Sequence, residues 1–156
     1  MENPTEGLVL LVPFDVDELS QDVLGAVMKL ARRLGAAVIP LHVYTLPHYG
    51  YPGTNPLLTP DFIDRVTAAA QDKAKRVAAA KGAPPPLVRE GDPVTEILRA
   101  AEELRPAMIV MGTHGRRGLS HLFLGSVAER VVRESPLPVL TLRFPDEAAG
   151  AFGEQR

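Results

Sequence analysis

The sequence predicts an α/β fold, a three-layer sandwich in which helices cover both faces of a five-stranded parallel sheet. Three observations predict it. Short unbroken apolar runs, such as residues 8–12 (LVLLV) and 107–111 (AMIVM), have the length of strands buried on both faces. Segments with helical spacing separate these runs. Prolines, glycines and capping residues fall at the junctions between the two kinds of segment.

The elements follow in order. Residues 8–12 form the first strand, ended by Pro13-Phe14-Asp15. A helix is predicted over 17–34, with Leu19, Val23, Val27, Leu30 and Leu34 on one face. Asp17 and Glu18 suit its first turn, Lys29, Arg32 and Arg33 its end, and Gly35 stops it. Residues 36–43 (AAVIPLHV) are the second strand, where Pro40 removes a ladder donor and predicts an edge, a bulge or a locally unpaired position. Strand, helix, strand makes a right-handed βαβ unit.

Residues 44–59 hold three prolines, two glycines and all three tyrosines. So long a loop in a compact domain is either a functional cover over a ligand or a surface segment. Thr59-Pro60-Asp61 then starts a helix running to about residue 81, stopped by Gly82 and Ala83-Pro84-Pro85-Pro86. Lys73, Lys75 and Arg76 form its solvated face. Residues 87–90 are the third strand. Gly91-Asp92-Pro93 repeats the cap-plus-proline signal for a helix over 94–104, with Ile97, Leu98 and Ala101 inward, broken at Arg105-Pro106. The fourth strand is 107–111, the fourth helix 126–134, and the fifth strand 139–142. The tail 145–156 reads as loose, and residues 1–156 read as one domain with its core over about 8–143.

Composition narrows the function classes. The chain has 156 residues, 46% hydrophobic and 23% charged, with a net charge of −2. That balance supplies no broad basic field for nucleic acid. No apolar run reaches the length of a membrane span, and the acidic start is no signal peptide, so a soluble cytoplasmic protein is expected. Cysteine is absent, which excludes disulfides, thiolate chemistry and cysteine–zinc sites.

The stretch 107–127 (AMIVMGTHGRRGLSHLFLGSV) carries the functional signal. A strand leads into Gly112, Gly115 and Gly118, with Arg116 and Arg117 among them, and the chain then reaches Gly125-Ser126 at a fresh helix start. Glycines let backbone N–H groups approach a ligand, and a helix N-terminus offers unpaired donors and partial positive charge. Two arginines add fixed charges that fork onto phosphate oxygens. The expected ligand is a phosphate chain. The loop is neither a Walker A motif, lacking Gly-Lys-Ser/Thr, nor a dinucleotide G-x-G-x-x-G.

The spacing G-x-x-G-x₉-G-S, at Gly112, Gly115, Gly125 and Ser126, resembles the nucleotide-binding signature of the universal stress protein family. The resemblance extends from about residue 8 to 143. It implies a Rossmann-like, adenine nucleotide alpha hydrolase-like sheet in the order 3-2-1-4-5, with the ligand at the carboxyl ends of the strands. It further implies that Asp15 lies near adenine and ribose, that the Val43 backbone holds the base, and that Pro13 stands at the strand edge. Phosphates would lie on Gly112, Thr113, His114, Gly115, Arg116, Arg117 and Gly118, and on Gly125, Ser126 and Val127. Asp15 also reads as a turn or cap residue for the first helix. The implied ligand is ATP, AMP or another adenine nucleotide, and the implied partner is a second copy paired through the last strand, Val139–Leu142. In one respect the chain departs from the family. Val16-Asp17-Glu18 stand where many members place a serine, and two acids near a triphosphate raise the question of Mg²⁺.

Catalytic signals are weak. The four histidines, His42, His48, His114 and His121, form no H-x-x-x-H pattern, and no metal site is expected. G-x-S-x-G is missing, as is a recognisable magnesium-and-lysine set, so no catalytic residue is assigned. Three classes remain: a nucleotide-binding regulatory or stress-response protein with at most slow hydrolysis, a nucleotide-hydrolysing or adenylate-forming enzyme, and an interaction module of the same fold that binds no nucleotide.

Overall fold

A computed structural model describes residues 7–16, 18–46, 59–113 and 125–142, without the side chains of 18–21. The elements are β1 (Val9–Pro13), α1 (Glu18–Leu34), β2 (Ala37–Tyr44), α2 (Pro60–Ala80), β3 (Leu87–Glu90), α3 (Pro93–Leu104), β4 (Met108–Gly112), α4 (Ser126–Glu134) and β5 (Val139–Leu142). The strands pair in parallel in the order β3-β2-β1-β4-β5, the order expected.

Side-chain alternation along the central strands feeds two cores. Leu10 and Val12 of β1, with Val110 of β4, pack under α1 and α2 beside Val23, Leu24, Val27, Ala74 and Ala78. Leu11, Ile109 and Met111 point the other way, onto Val94, Ile97, Ala100, Ala128 and Val131 of α3 and α4. Strands buried on both faces need apolar residues at every position, which is why β1 reads as an unbroken run. Burying each such leucine or valine side chain contributes about 1.5–3 kcal/mol.

The inner face of α1 differs from expectation. Val23, Leu24, Val27, Met28 and Ala31 are buried, whereas Leu30 is only partly covered and Leu34 is 54% exposed. The buried stripe keeps the predicted Val23 and Val27 but turns toward Leu24, Met28 and Ala31, so Leu34 rotates out beyond the sheet. On α3, Ile97 and Ala101 are buried as expected, and Leu98 packs at the core's margin. Tyr44 is also reassigned. It ends β2 rather than joining the following loop, and its hydroxyl lies 2.8 Å from Thr67 Oγ1 of α2.

Two prolines shape the sheet. The Ala37 N–H donates to Leu8 and the Leu41 carbonyl accepts from Phe14, so odd-numbered residues of β2 face β1. The Pro40 nitrogen therefore faces the β3 side, where pairing begins only at Leu41↔Leu87. It sits in an interior strand at a locally unpaired position, and the missing donor breaks no ladder bond. Pro13 acts differently. Since Phe14 N–H bonds to β2, residue 13 faces β4 by alternation. Pairing of β1 with β4 comprises Leu10↔Met108 and Leu11↔Ile109, and the next step needs an N–H that Pro13 lacks. Beyond that step the two strands have no ladder between them. The chain winds outward in opposite directions from this point, which makes it the topological switch point of the sheet.

Candidate functional site: a cleft at the carboxyl ends of the strands

Where β1 and β4 cease to pair lies a cleft of about 180 Å³. Its floor and walls come from Pro13, Phe14 and Asp15 after β1, Leu41 and Val43 of β2, and Met111, Gly112 and Thr113 at the end of β4. The first turns of two helices complete it, Pro93 and Ile97 of α3 and Gly125, Ser126, Val127 and Ala128 of α4, with Val23 of α1. The structure thus brings Pro13, Asp15, Val43, Gly112, Thr113, Gly125, Ser126 and Val127 into one place, although 82 residues separate Val43 from Gly125 (125 − 43). His114, Gly115, Arg116, Arg117 and Gly118 lie outside the described residues, as do the other loop histidine His121, His48, and Asp17.

The helix starts follow from sequence. Thr113 and Gly125 are joined by a 2.6 Å bond from the Gly125 N–H to the Thr113 carbonyl. Gly125 is the N-cap of α4 and has no side chain to cap it, and the first intrahelical bond runs from Glu129 to Gly125. The helix therefore supplies no acceptor for the N–H groups of Ser126, Val127 and Ala128. They meet the cleft with the positive end of the helix dipole and the Ser126 hydroxyl. On α3 the equivalent donors are taken. Asp92 caps it, accepting from Thr95 N–H at 3.0 Å and Thr95 Oγ1 at 2.9 Å. Those bonds hold the Asp92 carboxyl below the ordinary aspartate range.

Asp15 accepts a 2.7 Å bond from the Val16 N–H, so its carboxylate helps hold the turn out of β1 while lining the cleft. Behind it, buried His42 donates from Nδ1 to the Phe14 carbonyl at 3.2 Å, its ring tilted 41° to that of Phe14 at 5.8 Å. His42 fixes the backbone that presents Asp15. Val43 and Tyr44 are held from the other side, the Tyr44 carbonyl accepting the Gly91 N–H at 3.0 Å. A further tie orients α3. Glu96, 8% exposed, pairs with Arg99 at 2.9 Å and with Arg89 of β3 at 3.6 Å, and Arg89 also binds Glu103. Arg89 holds the Glu103 carboxyl below its usual range.

Gly112 has a packing task besides the role its motif implies. A Cβ there would lie 2.8 Å from Val23 Cγ2, closer than carbon atoms approach. The glycine lets the end of β4 sit against α1. Several wall residues escaped sequence reasoning: Val23, Leu41, Pro93, Ile97, Met111 and Ala128. Period two could have found Leu41 and Met111, two residues before Val43 and Thr113 on the same faces. The Gly91-Asp92-Pro93 cap could have found Pro93, because it starts α3 at the carboxyl end of β3.

The arrangement is a mostly apolar slot with one carboxylate at its rim and an uncapped helix start at its end. Three groups of His, Cys, Asp or Glu placed to hold a metal do not occur among the described residues.

Comparison with known proteins agrees with this architecture. The universal stress protein family matches residues 9–143. Universal stress protein MJ0531 of Methanocaldococcus jannaschii is 31% identical over 139 residues, covering 87% of this chain and 82% of its own. Among solved structures, hypothetical protein PH0823 superposes with a TM-score of 0.64 at 29% identity, over 89% of this chain and 97% of its own. A universal stress protein in complex with cAMP superposes with a TM-score of 0.53 at 25% identity, over 88% of this chain and 97% of its own. With this sheet order, cleft and glycine spacing, the chain belongs to the universal stress protein family.

Proposed function

We propose that the protein is a cytoplasmic adenine-nucleotide-binding member of its family with a regulatory, stress-response role. The observation that carries the reading is the junction of an apolar slot with the uncapped start of α4, at the point where β1 and β4 cease to pair. A slot of about 180 Å³ suits a planar ring, since cavities of about 150 Å³ take up benzene. Leu41, Val43, Ile97 and Met111 supply the apolar walls, and backbone groups near Val43 supply hydrogen bonds to the base edge. Asp15 faces the ribose end. Ser126 and the α4 N–H groups suit phosphate oxygens, and the glycine–arginine stretch 115–118 extends that reading by sequence. A relative bound to cAMP supports a nucleotide ligand of this class.

Mg²⁺ enters only with a triphosphate, where its charge would offset repulsion from nearby acids. Turnover is slow at most. Among the described residues that line the cleft, none is a lysine or histidine able to serve as a positioned base. The test is mass spectrometry of small molecules released from purified, undialysed protein. An adenine nucleotide at near-stoichiometric yield is expected. Protein that carries none, and takes up none from a panel of ATP, AMP and cAMP, would leave the interaction-module reading in its place.

A further inference from the structure

Thr113 is bonded on both sides of its backbone to different parts of the fold. Its N–H donates to the Leu142 carbonyl, the last residue of β5, at 3.1 Å. Its carbonyl accepts from Gly125, the N-cap of α4, at 2.6 Å. Thr113 is 8% exposed and lines the cleft with Gly125. Residues 113 and 125, which flank the segment 114–124 in sequence, are thus joined by a backbone bond.

β5 is the element with most to gain from such a tie. It has only four residues, none of them buried, and among the described residues it pairs with β4 alone. Ile109 N–H bonds the Pro138 carbonyl and Thr113 N–H the Leu142 carbonyl, so residues 138, 140 and 142 face β4. The backbone groups of Val139 and Thr141 face the open edge. A short strand held on one side opens at low free energy, and one bond at its end is a large share of what holds it.

We propose that Thr113 is a positioning residue that ties the α4 end of the cleft to β5, so that filling the cleft tightens the open edge of the sheet. This rests on the nucleotide reading of the cleft. A ligand that engages the first turn of α4 restrains Gly125, Gly125 restrains Thr113, and Thr113 restrains Leu142. Linkage makes the effect reciprocal, so whatever pairs with the edge strengthens binding in the cleft.

Gly125 permits a selective cut. Its φ of −57° is already that of proline, and its N–H serves Thr113 rather than the helix. Gly125→Pro removes the bond, while Gly125→Ala keeps it and controls for the added carbon. Amide hydrogen exchange at Thr113, Leu140 and Leu142 is then followed with and without saturating ATP. In the parent, ATP should slow these amides about tenfold or more. In Gly125→Pro they should exchange faster than in Gly125→Ala, both compared without ligand. The tie is overturned if Gly125→Pro and Gly125→Ala exchange alike at Thr113 and Leu142, or if ATP binds the parent and leaves β5 unaltered. If calorimetry finds no ATP binding to the parent, the nucleotide reading fails, and the ligand-free comparison alone decides the tie. Should Gly125→Pro not fold, the response of β5 in the ATP-bound parent decides it.

Discussion

Gly112 and Val23 meet across the end of β4, and the fit leaves no room for a methyl group. Gly112→Ala should cost about 1–3 kcal/mol through overpacking, measured by chemical denaturation. In the double variant with Val23→Ala the clash disappears, so its loss should fall short of the sum of the single losses by about 1 kcal/mol or more. Additive losses would show that the glycine is not held by this contact. At the other end of the cleft, Ser126→Ala removes one hydroxyl and leaves the helix N–H groups in place. Its expected effect is a weakening of nucleotide binding by about 0.5–1.5 kcal/mol in a calorimetric titration, with stability nearly unchanged. The two residues differ in what their surroundings in sequence disclose. Ser126 announces itself by standing at a helix start after a glycine. The contact of Gly112 is with a residue 89 positions earlier (112 − 23), and no spacing rule carries that information.

At the scale of the element, caps decide the most. Asp92 holds the start of α3 and, through Pro93 and Ile97, one wall of the cleft. Asp92→Ala should cost about 0.5–2 kcal/mol at neutral pH. Because its folded pKa is depressed, mainly by the Thr95 backbone N–H, this contribution is present above the unfolded value of 3.8. It is lost as pH falls through the lower folded value. Parent and variant should therefore differ in melting temperature at pH 7 and converge in strong acid. A constant difference down to the lowest pH would mean the carboxylate is not the cause. Caps, prolines and apolar runs are local signals, and β3, α4 and β5 were legible to the residue for that reason. The buried stripe of α1 was not. Two stripes at helical spacing compete there, one through Leu30 and Leu34 and one through Leu24, Met28 and Ala31, and the choice depends on where α2 and β4 lie. Tyr44 was misplaced for a related cause, since its place in β2 follows from pairing with Glu90 of β3, a partner distant in sequence.

For the molecule as a whole, β5 is the last strand of the sheet, and among the described residues the backbone of Val139 and Thr141 faces no further strand, beside Leu140 and Val132, which are 38% and 46% exposed. Edges of this kind pair. A homodimer through Val139–Leu142 is expected at micromolar concentration, and Thr141→Pro, which removes one outward donor, should shift it to monomer in sedimentation. A monomeric parent would contradict the expectation. The sheet order and the position of the cleft were legible from the glycine motif and its resemblance to a known family, because the motif ties a strand end to a helix start. The gap that the cleft needs between β1 and β4 was not, since Pro13 shows which way its nitrogen faces only once the register with β2 is known. Whether this junction binds a nucleotide through its phosphates is decided by calorimetric titration of ATP into the parent and Gly115→Val. The role proposed for Gly115 is a close approach of its backbone to phosphate, which a β-branched side chain there would prevent. The expected result is binding by the parent, a gain in its stability of about 2.7 kcal/mol at 100 times Kd, and loss of both in a folded Gly115→Val. Equal ATP affinity in the two proteins would contradict it.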